Sequence, residues 1–478
     1  MVYRLAQNIE LQDRDGESFL MAKAPLRVLR LNRALAALVR QGMTGDLSAA
    51  TPGEAAALEQ LAARGFVDRI RPVAETAERV PTVSVIIPVK DREEELLRCL
   101  GSLRRLTFPQ DNLQIIVVDD GSSDSSAHVA RLAGAEVVPS GGTGLGPAAA
   151  RNAGAAHARG DILAFIDSDC TASEGWLTEL LPVFKDPAVT AVGGLVDGMC
   201  TESAIDRYER VMSSLTLGKR ERSGSGGNDT FYLPSCNLLV RRTVFASVGG
   251  FDDSMHVGED VDLTWRFRDR GWTIAYLPAG RVYHEHRSTL RSFMSRRFDY
   301  GTSEGMLQRL HPLRRKQMVI PPLLALVLAL LIAVPLVGQW WCFLAAAGVL
   351  AADATLLRVR LKRRGLPLTF SALVAGRLRA IGSLAYYLCF HLVRYYSIPL
   401  AAVSVQFPPM WGALATALIC AAGVDYAIKK PSLSFPQFAV IYLLEDVAYG
   451  AGVFWGCLNG RSFTSYRVTI LRHREVVG

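Results

Sequence analysis

Two aspartates separated by one residue, Asp167 and Asp169, are the residues whose type and spacing most clearly suggest chemistry. They follow the apolar run Ile162–Ile166, which predicts a strand buried on both faces. Burying two carboxylates at the end of such a strand costs free energy unless a positive charge pairs with them. A divalent cation with oxygen ligands, Mg²⁺ or Mn²⁺, would pair them and would also hold a phosphate. The alternative is a solvated Asp-Ser-Asp turn that caps a helix at Ser173.

Predicted strands and helices alternate around this pair, which indicates an α/β domain with a parallel sheet covered on both faces. Two further predicted strands, Val83–Pro88 and Gln114–Val118, end in the polar clusters Pro88–Asp91 and Asp119–Ser122. Helices are predicted at Arg92–Leu103, Ser125–Ala133 and Pro147–His157. Ligands bind at the carboxyl ends of strands in such sheets, so three polar clusters at one edge favour a binding site over three unrelated turns.

A dinucleotide-binding domain is the competing α/β assignment. It requires a Gly-x-Gly-x-x-Gly segment directly after the first strand, so that the backbone can approach a pyrophosphate. Here Pro88–Glu93 follows the first strand, and the glycine cluster Ser140–Gly146 follows a third, short strand predicted at Ala135–Pro139. The sequence therefore disfavours an oxidoreductase.

Five motifs run through residues 82–310: Val85–Pro88, Val117–Asp124, Ala150–Gly154, Gly160–Asp169 and Gly258–Leu263. Their content and order resemble family 2 glycosyltransferases, whose domain is the Rossmann-like GT-A nucleotide-diphospho-sugar transferase fold. The resemblance implies a UDP-sugar donor, a divalent metal ion and inversion of configuration at the anomeric carbon.

The donor-side residues that this resemblance implies are Pro88, Val89, Asp120, Arg151 and Asp167. Asp120 would contact the uracil, since a carboxylate accepts a hydrogen bond from an N–H group, and Pro88 and Val89 would line the base pocket. Arg151 would face the diphosphate; the alternative is that its side chain forms a surface salt bridge. Asp167 would hold the donor ribose and help bind the metal, which Asp169 would bind directly.

The resemblance also implies the catalytic groups. Glu259 and Asp260 begin a predicted helix, where the helix dipole is expected to lower the pKa of a carboxyl group. Asp260 would be the general base and Glu259 its support, the alternative being an acidic helix cap. His284, with His286 as the fallback, would complete the metal shell, the alternative being a core histidine. Asn237 would lie on the acceptor side.

The chain departs from the processive members of the family near the end of this domain. Ser295–Phe298 stands where those members carry a Gln-x-x-Arg-Trp motif that holds an acceptor glycan. We therefore do not expect synthesis of a membrane-translocated polymer. The glycine-rich segment Ser223–Asp229 is predicted to be a flexible loop over the acceptor site.

Residues 1–75 are predicted to form a small winged-helix-like domain, followed by a linker at residues 71–81. The predicted elements are strands Tyr3–Gln12 and Ser18–Lys23, a hairpin turn at Asp13–Gly16, and helices at Leu26–Gln41 and from Pro52. Their order resembles PqqD-like peptide-recognition domains, which bind a peptide as an added strand at a sheet edge. The alternative is a packing or dimerisation domain.

Residues 317–478 are far more apolar and predict a transmembrane or interfacial helical region, with a buried helical domain as the alternative. The predicted segments are a hairpin of spans at Met318–Val337 and Trp340–Leu357, an interfacial helix at Phe370–Tyr396, a third span at Trp411–Ala427 and an ambiguous segment at Phe438–Leu458. Basic clusters at Arg309–Lys316 and Arg358–Arg364 flank the hairpin. We interpret them as membrane-orientation signals and expect no nucleic-acid partner.

The eight cysteines form no metal-binding pair, and the polar start Met1–Gln12 lacks a signal-peptide pattern. Both features predict a catalytic domain on the cytoplasmic face of the inner membrane. The three regions together resemble the glycosyltransferases of mycofactocin biosynthesis, which implies transfer of glucose to a peptide-derived redox cofactor. The alternatives are a cell-envelope glycosyltransferase acting on a lipid or polysaccharide, and an inert peptide-binding scaffold.

Overall fold

The computed structural model of the chain describes residues 2–471 apart from residues 7–8, 15–16, 24–25, 44, 64, 71–79, 226–229, 315 and 364–367. It forms two compact units, one of Met1–Glu78 with Ala354–Arg379 and one of Arg79–Asp353 with Ala380–Gly478. Most of the predicted linker at residues 71–81, and residues 226–229 of the predicted glycine-rich loop, lie outside the described residues.

The N-terminal part of the first unit contains two three-stranded antiparallel sheets, with strand orders β5-β1-β6 and β2-β3-β4. Its elements are β1 (Val2–Leu5), β2 (Ile9–Arg14), β3 (Glu17–Lys23), β4 (Leu26–Leu31), α1 (Arg33–Gln41), β5 (Leu47–Ser48), α2 (Pro52–Ala63) and β6 (Val67–Ile70). The predicted hairpin is confirmed, because β2 and β3 pair antiparallel up to Arg14 opposite Glu17.

The helix predicted to begin at Leu26 begins at Arg33 instead. In β4, Leu29 and Leu31 pack against the core of this unit, and Arg30 between them is exposed. This alternation is that of a half-buried strand. Asn32 then caps α1, since its side-chain oxygen accepts a hydrogen bond of 2.8 Å from the Leu35 N–H. The likeness of this unit to PqqD-like domains stays a prediction.

The second unit is organised around an eight-stranded mixed sheet with strand order β14-β16-β12-β15-β10-β7-β8-β9. The strands of this unit are β7 (Val83–Val89), β8 (Leu113–Asp119), β9 (Glu136–Pro139), β10 (Ile162–Phe165), β11 (Cys170–Ala172), β12 (Val189–Gly193), β13 (Val196–Gly198), β14 (Arg222–Gly224), β15 (Leu238–Arg241), β16 (Thr273–Tyr276) and β17 (Val282–His284). β7 to β10 run parallel as predicted, whereas β15 is antiparallel to β10 and β12. The sheet is therefore mixed rather than fully parallel.

Helices cover both faces of this sheet. The helices of this unit up to residue 310 are α3 (Glu93–Leu103), α4 (Ser126–Leu132), α5 (Pro147–His157), α6 (Trp176–Leu180), α7 (Ala204–Met212), α8 (Arg242–Ser247), α9 (Glu259–Asp269) and α10 (Leu290–Leu310). Of these, α10 packs mainly on a later helix rather than on the sheet. Successive residues of β7 enter opposite cores: Ile87 packs in the cluster that contains Leu100 of α3, and Ile86 packs in the cluster that contains Ala150 of α5. Burial on both faces explains the unbroken apolar run of the strand.

A second sheet has the strand order β11-β17-β13. Its first strand in the chain, β11, comes directly after β10 of the large sheet. The strand predicted at Ile162–Ile166 is β10, which ends at Phe165, and a separate strand, β11, begins at Cys170. β11 pairs antiparallel with β17, with Cys170 opposite His284. This register brings His284 beside Asp169.

The C-terminal region is helical. Its elements are β18 (Gln317–Val319), α11 (Pro322–Val337), α12 (Trp341–Arg363), α13 (Phe370–Gln406), α14 (Pro409–Lys429), α15 (Phe435–Asn459) and β19 (Thr469–Leu471). By length and composition alone, α12 to α15 could each cross a membrane, whereas α11 is shorter. The segment predicted as an interfacial helix is part of α13, which meets the same criteria.

Candidate active site

One cavity of about 820 Å³ opens at the carboxyl ends of β7, β8 and β10. The predicted site residues that line it are Pro88, Val89, Asp120, Arg151, Asp167, Asp169, Glu259, Asp260 and His284. Carboxylates from three distant parts of the sequence thus share one site. The exception among the predicted residues is Asn237.

Asp120 lies at the end of β8 and is buried. Its Oδ1 accepts hydrogen bonds from Ser140 Oγ at 2.7 Å and from Leu145 N at 3.0 Å, and its Oδ2 accepts one from Gly146 N at 2.9 Å. These bonds hold the glycine cluster Ser140–Gly146 against the edge of the sheet. A carboxylate oxygen can accept two bonds, so Oδ2 can take one more from a ligand N–H. Asp120 does not cap α4, whose Ser126 N–H is bound by Asp124.

Arg151 is buried and bridges two parts of the site. Its Nη2 donates to Asp167 Oδ1 at 2.6 Å, and its Nη1 donates to Glu259 Oε1 at 2.7 Å. The alternative of a surface salt bridge is therefore wrong, because the ion pairs are buried. Arg151 lines the cavity although both terminal nitrogens hold carboxylates, so its place beside the diphosphate stays a prediction. Arg151 ties the end of β10 to the start of α9.

Asp169 and His284 provide the donor atoms suited to a divalent metal. Asp169 Oδ1 lies 3.6 Å from His284 Nε2, and with Cys170 these residues form a group whose ligand atoms lie within 4.8 Å of one another. His284 Nδ1 is buried without a hydrogen-bond partner in the described part of the chain. Carboxylate oxygens suit Mg²⁺ and Mn²⁺, whereas burial raises the pKa of the Cys170 thiol well above its ordinary value and so disfavours the thiolate that binds metals.

The other predicted metal-site residues lie outside this group. Asp167 is bound to Arg151, so its place in the metal shell stays a prediction. His286 lies beside His284, with the ring centroids 4.8 Å apart and the ring planes tilted by 34°, and its Nδ1 lies 3.9 Å from a carboxylate oxygen of Glu209. His284 is therefore the better placed of the two histidines.

Asp260 lies in the first turn of α9, after Gly258, whose φ of +84° suits a residue without a side chain. Its Oδ2 accepts a hydrogen bond of 3.1 Å from Ser235 N. Burial, and then the neighbouring charge of Glu259, raise the pKa of Asp260 to about 7. The predicted lowering of this pKa is wrong, because loss of solvent outweighs the helix N-terminus.

Asn237 is fully buried and has structural partners. Its Nδ2 donates to Leu195 O at 3.0 Å and to Gly280 O at 2.9 Å, and its Oδ1 accepts from Trp176 Nε1 at 2.8 Å. The Asn237 amide is committed to the core and does not line the cavity, so the placement of this residue on the acceptor side stays a prediction. Ser235, two residues earlier, lines the cavity instead.

The sequence analysis does not predict several of the residues that line the cavity, above all Arg92, Arg287, Arg296 and Tyr300. Arg296 lies in the Ser295–Phe298 segment that replaces the glycan-holding motif, and its guanidinium is 4.8 Å from the centre of the Tyr300 ring. The neighbouring Arg297 is tied to Glu209 at 2.8 Å. Closely spaced arginines after the His284 segment were the only available signal, and the sequence does not show which of them face a ligand.

The chain is similar in sequence to known glycosyltransferases over nearly its whole length. The family described as "Glycosyl transferase family 2" matches residues 84–249. The pre-mycofactocin glycosyltransferase of Mycobacterium tuberculosis is 31% identical over 474 residues, which covers 95% of each chain. Glycosyltransferase AglE of Haloferax volcanii is 32% identical over 204 residues, which covers 41% of this chain and 64% of that protein.

Among solved structures, a mannosyltransferase of Pyrobaculum calidifontis in complex with GDP-Man and Mn²⁺ aligns at 19% identity and a TM-score of 0.40, over 76% of this chain and 91% of its own. The family match together with the mixed α/β sheet confirms the predicted GT-A fold. The chain belongs to family 2 of the glycosyltransferases.

Proposed function

We propose that the protein is an inverting, metal-dependent transferase that moves a hexose, by resemblance glucose, from a UDP-sugar to a hydroxyl of a peptide-derived small molecule. The observation that carries this proposal is the convergence of Asp120, Asp169 and Asp260 on one cavity. Such a cavity can bring a donor base, a diphosphate and an acceptor hydroxyl together.

The reaction is a displacement at the anomeric carbon. The Asp260 carboxylate takes the proton of the acceptor hydroxyl, the hydroxyl oxygen bonds to the anomeric carbon, and the bond from that carbon to the diphosphate oxygen breaks to release UDP. Attack opposite the leaving group converts an α-linked donor into a β-linked product. A pKa of about 7 suits a base that works near neutral pH.

The negative charge of the diphosphate has two sources of compensation. Asp169 and His284 would hold Mg²⁺ or Mn²⁺, which neutralises phosphate charge when it is bound. Arg287 and Arg296 line the same cavity, and within the described ranges neither is paired with a carboxylate. Burial, with the nearby charge of Arg92, lowers the pKa of Arg287. A guanidinium in these surroundings is stabilised by a bound phosphate.

The relationship to a pre-mycofactocin glycosyltransferase supports a peptide-derived redox cofactor as the acceptor. Four apolar helices support a position at the inner membrane, with the catalytic unit on the cytoplasmic face, where nucleotide sugars are available. We further propose that the N-terminal unit binds a peptide by strand addition. The same apolar helices also favour a second candidate, a cell-envelope glycosyltransferase acting on a lipid or polysaccharide.

Incubation of the purified full-length protein with Mn²⁺ and single UDP-sugars, in the presence of either a peptide-derived or a lipid acceptor, separates these functions. We expect mass spectrometry to find one or more added hexoses on the peptide-derived acceptor, and NMR to find a β linkage. Transfer to the lipid alone would support the second candidate. Absence of both transfer and UDP release would indicate an inert scaffold.

A further inference from the structure

The active-site cavity extends beyond Asp260 into a region built by α10, α13 and α15. We call this region the acceptor compartment and define it by Tyr300, Glu304, Lys316, Tyr395 and Tyr449, all of which line the cavity. At about 820 Å³ the whole cavity is near the upper end of the range for small-molecule sites, so it has room for an acceptor beside the donor.

Close backbone packing makes α15 a fixed wall of this compartment. A Cβ atom on Gly452 would collide with the carbonyl oxygen of Phe298 in α10, and one on Gly301 would collide with the carbonyl oxygen of Tyr449. On the other side of α15, a Cβ atom on Gly450 would collide with the carbonyl oxygen of Arg394 in α13. Glycines thus let three helices meet backbone to backbone. Although α15 is apolar enough to cross a membrane, half of its most apolar stretch is buried within the protein.

Glu304 is the polar centre of the acceptor compartment. Its Oε2 accepts hydrogen bonds from Tyr449 OH at 2.9 Å and from Tyr395 OH at 3.0 Å, and its Oε1 is paired with Lys316. Lys316 Nζ also lies 3.7 Å from the centre of the Tyr395 ring. Both tyrosine hydroxyls donate to the same carboxylate, so their oxygens remain able to accept hydrogen bonds from a ligand.

The charges at this end of the cavity are matched by partners. Arg394 is paired with Asp446 at 2.9 Å and lies 3.8 Å from the centre of the Tyr449 ring. Arg297 is paired with Glu209 at 2.8 Å and with Glu445 at 3.2 Å. Two cavity-lining arginines, Arg287 and Arg296, have no carboxylate partner among the described residues. Arg287 is close enough to Asp169 to interact with its charge. Arg296 lies 4.8 Å from the centre of the Tyr300 ring and also interacts with the charge of Asp167, so it stands where the acceptor compartment meets the donor end.

From this arrangement we propose that the acceptor compartment binds an uncharged, ring-containing acceptor, which lies against the tyrosines and presents a hydroxyl to Asp260. Away from Arg296, the cations of this compartment are Lys316 and Arg394, and both are already paired. An anionic group placed there, such as a lipid phosphate, would have to break a buried ion pair, which is costly. Aromatic side chains provide flat apolar faces for a planar ring or a sugar ring, with hydroxyls at their edges. The inference rests on the proposed transferase function.

The test uses the full-length protein with UDP-glucose and a matched pair of acceptors, phenyl β-glucoside and its 6-phosphate. We expect kcat/KM for the neutral acceptor to exceed that for the phosphate by about tenfold or more. Glu304→Gln leaves Lys316 without its carboxylate, so we expect the acceptor KM to rise, the KM for UDP-glucose to stay unchanged, and the preference for the neutral acceptor to narrow. Tyr449→Phe keeps the ring and removes one hydroxyl, and should raise the acceptor KM less.

Glu94→Gln, an exposed position on α3, is the matched control and should behave as wild type. Equal or better transfer to the phosphate by the wild-type protein would overturn this inference while leaving the proposed function intact. An unchanged acceptor KM in both Glu304→Gln and Tyr449→Phe would also overturn it. Failure of Asp260-dependent transfer to every acceptor would instead overturn the proposed function itself.

Discussion

The donor and acceptor ends of the active-site cavity are built in different ways. At the proposed donor end, Pro88 lies at the end of β7, and Asp120 and Asp169 come after β8 and β10 of the same sheet, so each belongs to a short motif. At the acceptor end, Tyr300, Tyr395 and Tyr449 come from three helices that meet only in the folded chain. A site at strand ends can be read from local sequence, whereas a site between helices depends on contacts that the sequence does not display.

The two ends also use charge differently. Near the donor, Arg287 and Arg296 line the cavity without a carboxylate partner in the described part of the chain. Near the acceptor, Lys316 and Arg394 are held by Glu304 and Asp446. The same types of side chain thus serve to bind an anion at one end and to fix the shape of the wall at the other. Variants at the two ends should therefore fail in different steps.

The largest expected effect is at Asp260, where the two ends meet. Asp260→Asn keeps the side-chain shape and removes the proton acceptor, so we expect kcat to fall by about 10²- to 10⁴-fold. The affinity for UDP-glucose, measured by calorimetry, should change little. Asp111→Asn, at an exposed position, is the control. Turnover within a few-fold of wild type in Asp260→Asn would remove Asp260 from the role of base.

A smaller effect is expected at the metal-binding group, which belongs to the donor end alone. If His284 is a ligand as proposed, His284→Ala removes it, and we expect the apparent affinity for Mn²⁺ to fall by at least about 10- to 100-fold, the loss that changes to the partners of a ligand already cause. Excess Mn²⁺ should restore part of the activity, and chelation by EDTA should silence the wild-type enzyme. The acceptor KM at saturating Mn²⁺ should stay unchanged. Full activity in EDTA would show that the protein needs no divalent ion.

The sequence located the donor end but not its environment. Asp120, Asp169 and Asp260 line one cavity as expected, because strand ends and a helix start fix their places. The buried partners of Arg151 and Asn237 do not follow from the sequence, because Glu259 and Trp176 lie far from them along the chain. The predicted direction of the pKa shift of Asp260 is wrong, because burial raises this pKa and burial is a property of the folded molecule.

At the acceptor end, the close packing of α10 on α15 can be tested through one glycine. Gly452→Ala places a methyl group against the carbonyl oxygen of Phe298, so the helices must separate, at a cost of about 1–3 kcal/mol. We expect a lower melting temperature in detergent and a higher acceptor KM, with the KM for UDP-glucose unchanged. Gly423→Ala on α14, where an added Cβ atom meets nothing within 4 Å, is the matched control. Equal melting temperatures for the two variants would contradict the packing argument.

The smallest expected effect is a shift in the pH dependence of transfer. A protonated Asp260 cannot accept a proton, so kcat/KM for the acceptor should rise with pH up to about 7, where this carboxyl ionises, and then level off. Burial and the charge of Glu259 both raise the pKa of Asp260, whereas Arg151 lowers it. Glu259→Gln removes the negative charge that raises the pKa of Asp260. It also leaves Arg151 with one carboxylate partner fewer. Both changes favour the ionised form of Asp260, so the inflection should move to lower pH, with Glu94→Gln as the control. An inflection that stays in place or moves upward would show that Glu259 does not tune the base, and would leave burial as the cause of the raised pKa.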